Sequence, residues 1–379
     1  MKRDGGQVML VGSVARPDDG WGVEDVFRNC VKTLGARVSM LPDGEVGDRY
    51  YWINYLARHA YNSHAGLQTV SHHTFEDWKP TGYADHWRFT LAPGAQELHF
   101  DRLGYVDEAL RSYEVFIGLR EQGVVPPGTR FMVALPLIES ATRPFIDSAA
   151  NWEVLWTGYA EAISRELREL CAAVPHDDLA IQWDVCLETA AVEGIQVNFT
   201  DEGLQQLPMD PLERCVQAIK TVVPAIADDV WLGLHICYGS LGHEEGTSAD
   251  TGSFKPMTDL GVSVDMANAG VAAAGRPVQF LHLAVQSARG HLDEFYAPLE
   301  RLDVGDARVY LGLIHLHDGL EGSVERIRKA RGYLREFGVA TQCGWGRRPA
   351  NERIEDLLAL NRDVADANAS VAGPASENG

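Results

Sequence analysis

An α/β fold built from eight strand–helix units is what this sequence predicts, on three observations. Short runs rich in Val, Ile and Leu recur along the chain, an amphipathic stretch follows each of them, and nearly every run ends in a polar cluster. Strands alternating with helices pair in parallel, and eight such units close into a (β/α)8 TIM barrel of about 250 residues.

The first run is residues 8–11 (Val-Met-Leu-Val), with a helical pattern around 23–34 after it. The second is 38–41, followed by an aromatic-rich helical stretch at 50–60. Residues 130–135 and 179–183 supply the third and fourth strands, each with a long amphipathic segment behind it. Residues 230–234, 278–281 and 309–314 continue the series, residues 338–341 make the eighth, and a helix at 354–364 closes it. At 379 residues the chain exceeds a typical barrel by about 130. The surplus falls at 64–104, 186–208 and 238–256, long insertions at the carboxyl-terminal face of the strands, where barrels build their active sites. With no repeat, low-complexity tract or Pro-rich linker, residues 1–369 read as one catalytic domain and 370–379 as a disordered tail.

Composition narrows the function. With 33 basic against 54 acidic residues, the net charge of −21 speaks against nucleic acid and against an anionic membrane surface. No apolar run approaches the roughly 20 residues of a spanning helix. The N-terminus runs straight into a strand without a signal-peptide pattern, and six irregularly spaced cysteines make no disulfide framework. The expectation is a cytoplasmic protein with reduced thiols, either a monomer or a homodimer.

The polar clusters at the strand ends carry the chemistry. They hold Ser13 and Arg16 after the first strand, Asp43, Glu45 and Arg49 after the second, and Asp184 at the end of the fourth. His235 and Cys237 end the fifth, His282 lies on the sixth, His315, His317 and Asp318 end the seventh, and Cys343 and Arg347 follow the eighth. The carboxyl ends of barrel strands converge on one place. On a strand, residues i and i+2 face the same way, so His235 and Cys237 can reach one metal ion. With Cys343 they make a soft nitrogen–sulfur set suited to Zn²⁺. The plainer reading of a buried cysteine is a small apolar packing residue, and Cys30, Cys171 and Cys215, all in helical patterns, fit it. Cys186, just past the fourth strand, stays open. Asp43-Gly44-Glu45 can equally be a turn. Arg347 and Arg348 suit a carboxylate, sulfonate or phosphate, or end the loop as a solvated pair. His72 and His73 in the first insertion suggest a lid contact.

His235-Ile236-Cys237-Tyr238, with Cys343-Gly344 far downstream, resembles the zinc-binding half of cobalamin-independent methionine synthase. Gly12-Ser13 is similar to that family's Gly-Ser substrate loop, Asp43-Gly44-Glu45 with Arg49 to its His-Gly-Glu segment, and Ile181-Gln182-Trp183-Asp184 to its Ile-Gln-Ile-Asp strand end. The similarities keep their order and span residues 10–348. The resemblance implies that His235, Cys237 and Cys343 ligate zinc and that Ser13, Glu45 and Asp184 hold an amino-acid or thiol substrate. The family's fourth ligand is a Glu on the sixth strand, where this chain has His282. Either His282 takes its place, or the site is three-coordinate with one open position. The chain also departs from the family. It has one barrel where complete synthases have two, Asp184-Val185-Cys186 stands for Asp-Glu-Pro, and Leu135-Pro136-Leu137-Ile138 stands for Gly-Pro-Val-Thr. Those departures speak against methylfolate as the donor. A single barrel of this kind also resembles epoxyalkane:coenzyme M transferase.

The function expected is transfer of a methyl or alkyl group to or from a small-molecule thiol, with a zinc-bound thiolate as nucleophile. Asp184, His315 and His317 are the candidate catalytic groups, His315 or His317 serving as general acid or as hydrogen-bonding support for other ligands. Arg16, Asp43, Arg49 and Arg347 join the candidate substrate contacts. The alternative is a zinc-dependent hydrolase or lyase in which the metal activates water for a small carboxylated substrate. Neither a dinucleotide fingerprint nor a Walker loop nor a nucleophile elbow is present.

Overall fold

The computed structural model describes residues 7–74, 85–195, 209–239, 255–349 and 351–371. Its strands are β1 (Met40–Pro42), β2 (Leu67–Thr74), β3 (Asp85–Leu91), β4 (Arg130–Pro136), β5 (Leu179–Val185), β6 (Trp231–Ile236), β7 (Phe280–Ala284), β8 (Arg308–Ile314) and β9 (Gly338–Thr341). Seven of them form one parallel sheet in the order β1-β4-β5-β6-β7-β8-β9, while β2 and β3 pair antiparallel on their own. Every residue of β5 and β7 is buried. That is the expected state of parallel strands with both faces covered, and it is why they read as unbroken apolar runs.

The sheet curls. Met9, Val11, Met40, Met132, Ala180, Phe280, Tyr310 and Ala340 form one apolar cluster of their own. These residues come from both edges and the middle of the sheet, and only a curled sheet lets them meet on its concave side. Glycine helps fill this space. A Cβ on Gly233 would sit 2.0 Å from the Phe280 ring, so the bare backbone of β6 is what lets that ring occupy the interior.

The outer layer is helical. Val23–Leu34 turns Val26, Phe27, Cys30 and Leu34 inward at helical spacing. Ala149–Ala173 is capped by Ser148, which accepts from the Asn151 N–H, and Pro211–Val222 by Asp210. Cys30, Cys171 and Cys215 are buried on these outer helices, as their patterns implied.

Three expectations are corrected. Residues 8–11 form no regular strand. Val8 bridges Val339 of β9, Ser13 bridges Gly44 beyond β1, and the backbone bonds alternate between the two sides. With β1 only three residues long, no continuous ladder develops there. The eight-stranded ring is therefore seen as seven strands whose edges are both bridged by residues 8–14. Second, the insertion at 64–104 carries the β2–β3 hairpin, with a register shift between Thr69 and Ser71. It rests on the chain beyond β4 through a Phe89–Ile146 bridge. Third, the last helix, Ile354–Val371, runs two residues into the segment expected as tail. Of the other insertions, residues 196–208 and 240–254 lie outside the described residues, as do 372–379. Among the described residues no helix is long and apolar enough to cross a membrane.

Candidate metal centre at the carboxyl end of the sheet

Strand register sets the site. Pro136, Asp184, His235, His282, Tyr310 and Gly338 are successive partners across β4 to β9, a row that starts at the carboxyl ends of β4, β5 and β6 and passes through the middle of β7. Parallel partners point the same way, and Asp184, His235 and His282 are therefore neighbours. Cys237 continues the direction of His235 two residues on, its N–H donating to the Val185 carbonyl at 2.9 Å.

His235, Cys237 and Cys343 present one ligand atom each within 4.8 Å of one another. The Cys237 and Cys343 sulfurs are 3.8 Å apart. A disulfide would need about 2.05 Å. Two thiolates bound tetrahedrally at about 2.3 Å from zinc are separated by about 3.8 Å. The two are thus not disulfide-bonded, and they are already spaced as two corners of a zinc tetrahedron. Contact with Cys237 and burial push the Cys343 thiol up, and contact with Cys186 and burial push Cys237 well up. Two such thiols stay neutral unless a cation lies between them. The Gly239 N–H, 3.3 Å from Cys237 Sγ, is a donor placed for the ionised form.

The histidine is preset for the same task. Burial holds His235 below its ordinary value and lowers His282 to about 3, so both rings are neutral at physiological pH. His282 Nε2 lies 3.0 Å from the Thr341 carbonyl, which only an N–H can satisfy. Its Nδ1 is then a lone pair and accepts the Nδ1–H of His235 at 2.7 Å. His235 is left with an unprotonated Nε2, buried and without an oxygen or nitrogen partner, turned toward the Cys343 sulfur. A neutral imidazole with a fixed lone pair is the form that binds a metal. Together the tautomer, the sulfur spacing and the soft donor set fit Zn²⁺. His282 is not a fourth ligand in this arrangement, because both its nitrogens are engaged. It aims His235 instead.

A set of buried polar side chains adjoins the cluster. Asp184 accepts from Gln182 Nε2 at 2.8 Å, and the same nitrogen donates to the Val11 carbonyl at 2.6 Å. Burial, with the Glu45 carboxylate and Cys343 nearby, pushes Asp184 well above the usual carboxylate range. Glu45 has a left-handed backbone, φ 49°, and its Oε1 would be 2.9 Å from a Cβ on Gly12, so Gly12 leaves room for it. Ser13 lies under Gly344 and Gly346, and a Cβ on Gly346 would fall 2.0 Å from its hydroxyl. Ser13 Oγ and Gln182 Oε1 are buried with no hydrogen-bond partner among the described residues. Buried polar atoms of that kind call for a further partner.

Other predicted contacts are engaged within the chain. Arg49 spends its guanidinium on Asp43 at 2.5 Å, both side chains buried, and Asp43 also accepts from the Ser112 hydroxyl and the Glu45 N–H. Each satisfies the other's charge. Arg16 lies against Asp18 and the Pro349 carbonyl, and Arg348 is paired with Asp19. The side chain of Arg347 lies outside the described residues. His315 is buried just past β8, whereas His317 is two-fifths exposed and 3.7 Å from Asp318, which Arg326 grips with both nitrogens. His317 therefore sits toward solvent. In the insertion, His72 stacks on Trp87 at 3.7 Å, and the His73 side chain lies outside the described residues.

Sequence reading missed three features. His282 as the partner of His235 was hidden because tautomers depend on a contact between strands. Gln182 could have been found, since it stands two residues before Asp184 on the same face. The contact of Cys186 with Cys237 had its only signal in their positions just past adjacent strands.

No family model matches the sequence, and no curated protein does. Solved structures do match. A B12-independent methionine synthase from Shewanella sp. W3-18-1, in complex with selenomethionine, superposes with a TM-score of 0.55 at 15% identity, covering 97% of this chain and 96% of its own. The fold is that of this synthase. A putative vitamin-B12 independent methionine synthase from Listeria monocytogenes gives 0.58 at 14% identity, over 98% and 99% of the two chains. The likeness extends over nearly the whole length on both sides.

Proposed function

We propose that this protein is a zinc-dependent transferase that moves a methyl or other small alkyl group onto a thiol. The observation that carries the reading is the His235–Cys237–Cys343 cluster at the end of a methionine-synthase-like sheet, with its sulfurs at tetrahedral spacing and its imidazole tautomer set. We also infer that residues 8–14 complete the sheet as the eighth strand of a closed barrel, supported by their bridges to both edges. Zinc held there would ionise an incoming thiol at neutral pH, making it a nucleophile.

The chain's own residues supply the rest. Asp184, its carboxyl pushed up by burial and lying beside Cys343, is placed to bond a polar substrate group or to exchange a proton with a leaving group. Ser13 and Gln182 offer unpaired polar atoms, and Glu45 a carboxylate, to the amino or carboxyl end of a small substrate. His315 is kept as the other candidate acid. Two sulfur ligands favour thiol chemistry over activation of water, since hydrolytic zinc sites are built mainly from His and carboxylate.

The test uses metal-loaded protein with homocysteine or coenzyme M as acceptor and S-methylmethionine or 1,2-epoxypropane as donor, followed by thiol consumption and product mass. Wild type is expected to hold about one zinc per chain and to alkylate one of these thiols. Cys237→Ser and Cys343→Ser are expected to lose both properties while staying folded. Full retention of zinc by both variants would overturn the assignment.

A further inference from the structure

A third sulfur reaches the same place from the neighbouring strand. Val185 and Ile236 are register partners on β5 and β6, so the next residues, Cys186 and Cys237, leave the sheet side by side. Cys186 is buried, and the register sets its thiol beside that of Cys237, each bearing on the other's ionisation. Its main chain is fixed, with the N–H directed at Glu188 Oε2 (3.2 Å) and Ser140 Oγ (3.4 Å). Only the single side-chain torsion is left to move. Three protein ligands leave a tetrahedral metal one position short, and His282 has no nitrogen to give.

We propose that Cys186 is the fourth ligand of the metal held by His235, Cys237 and Cys343, and that substrate thiol displaces it. The proposal rests on the reading of that cluster as a metal centre. Cys186 lies outside the group whose ligand atoms are all within 4.8 Å of one another, so it joins by rotating about its Cα–Cβ bond. The contact with Cys237 is then its displaced position. The exchange balances. An incoming thiol gives its S–H proton to the Cys186 sulfur, the bond from Cys186 to the metal breaks, and the incoming sulfur takes the vacated position. One thiolate replaces another, so the charge of the site is unchanged and nothing is oxidised. Cys186 is left as a neutral thiol, which avoids burying an unpaired anion. Only a thiol or a similarly soft anion can make this trade, so the site selects sulfur substrates over water.

The experiment strips the full-length protein of metal under reducing conditions and reloads it with zinc alone. Each thiol that binds zinc releases one proton, so proton release at pH 7 counts thiolate ligands. Sulfur scatterers at the zinc absorption edge count them independently. Wild type is expected to give about three of each, and Cys186→Ser about two of each, with zinc bound at least tenfold more weakly. Cys186→Ala, a smaller side chain with no polar atom, repeats the test should the serine variant fold poorly. A wild type that loads zinc with two sulfurs and two protons, matching both variants, would overturn Cys186 as a ligand and leave the metal centre standing. A wild type that takes up no zinc, or a Cys237→Ser variant that keeps all of it, would overturn the reading beneath.

Discussion

Replacing His282 by leucine removes two buried hydrogen bonds at once, the 2.7 Å bond from His235 and the 3.0 Å bond to the Thr341 carbonyl. Each polar group orphaned in the interior costs about 1–3 kcal/mol, so the metal-free protein should lose about 2–6 kcal/mol. The larger consequence is chemical. Without an acceptor, His235 is no longer held with its proton on Nδ1, and the Nε2 lone pair is no longer assured to the metal. Loss of such a supporting partner typically weakens metal binding about 10–100-fold. His282→Gln is the control, because its amide can accept from His235 and donate to Thr341 in the same chain of bonds. Zinc affinity by chelator competition, with urea denaturation of the metal-free forms, reads both effects. His282→Leu should fall by one to two orders of magnitude in affinity, and His282→Gln should stay within a few-fold of wild type. A folded His282→Leu that binds zinc as tightly as wild type would refute the tautomer argument.

Two further outcomes follow from buried charges elsewhere. Burial pushes Glu139 up to about 7, against the pull of Arg143. Its folded value lies above its unfolded one, so its contribution is full below about 4.5 and is lost as pH rises through 7. Glu139→Gln should therefore gain about 1–3 kcal/mol over wild type at pH 8 and nothing at pH 4, by urea denaturation at the two pH values. Equal effects at both would contradict it. Asp43→Ala breaks the buried pair with Arg49 and should cost about 3–5 kcal/mol, seen as a lower denaturation midpoint; a stable variant with weakened substrate binding would return Asp43 to the substrate site.

Much of the fold was legible because parallel strands leave a strong mark. Residues 130–135, 179–183 and 309–314 read as apolar runs and lie in β4, β5 and β8 with shifts of one or two residues. The first run was equally apolar, yet its neighbours are too short to build a ladder, and length of partner is not written in a strand's own sequence. The hairpin at β2–β3 escaped because its charged and aromatic residues alternate only weakly and its register shifts midway. At the site, His235, Cys237 and Cys343 were recoverable because strand ends converge, whatever lies between them in sequence. What could not be read was the use of each group. Asp43 and Arg49 looked like substrate contacts until their side chains were seen to satisfy each other, and His282 looked like a ligand until both its nitrogens were found bonded.

The decisive observation is whether a substrate thiol reaches the metal, and a selenol makes it visible. Zinc-loaded protein mixed anaerobically with selenohomocysteine should show, at the zinc absorption edge, one selenium scatterer per zinc that is absent without the probe. Zinc whose ligand set stays the same at saturating selenol would contradict thiol transfer at this centre.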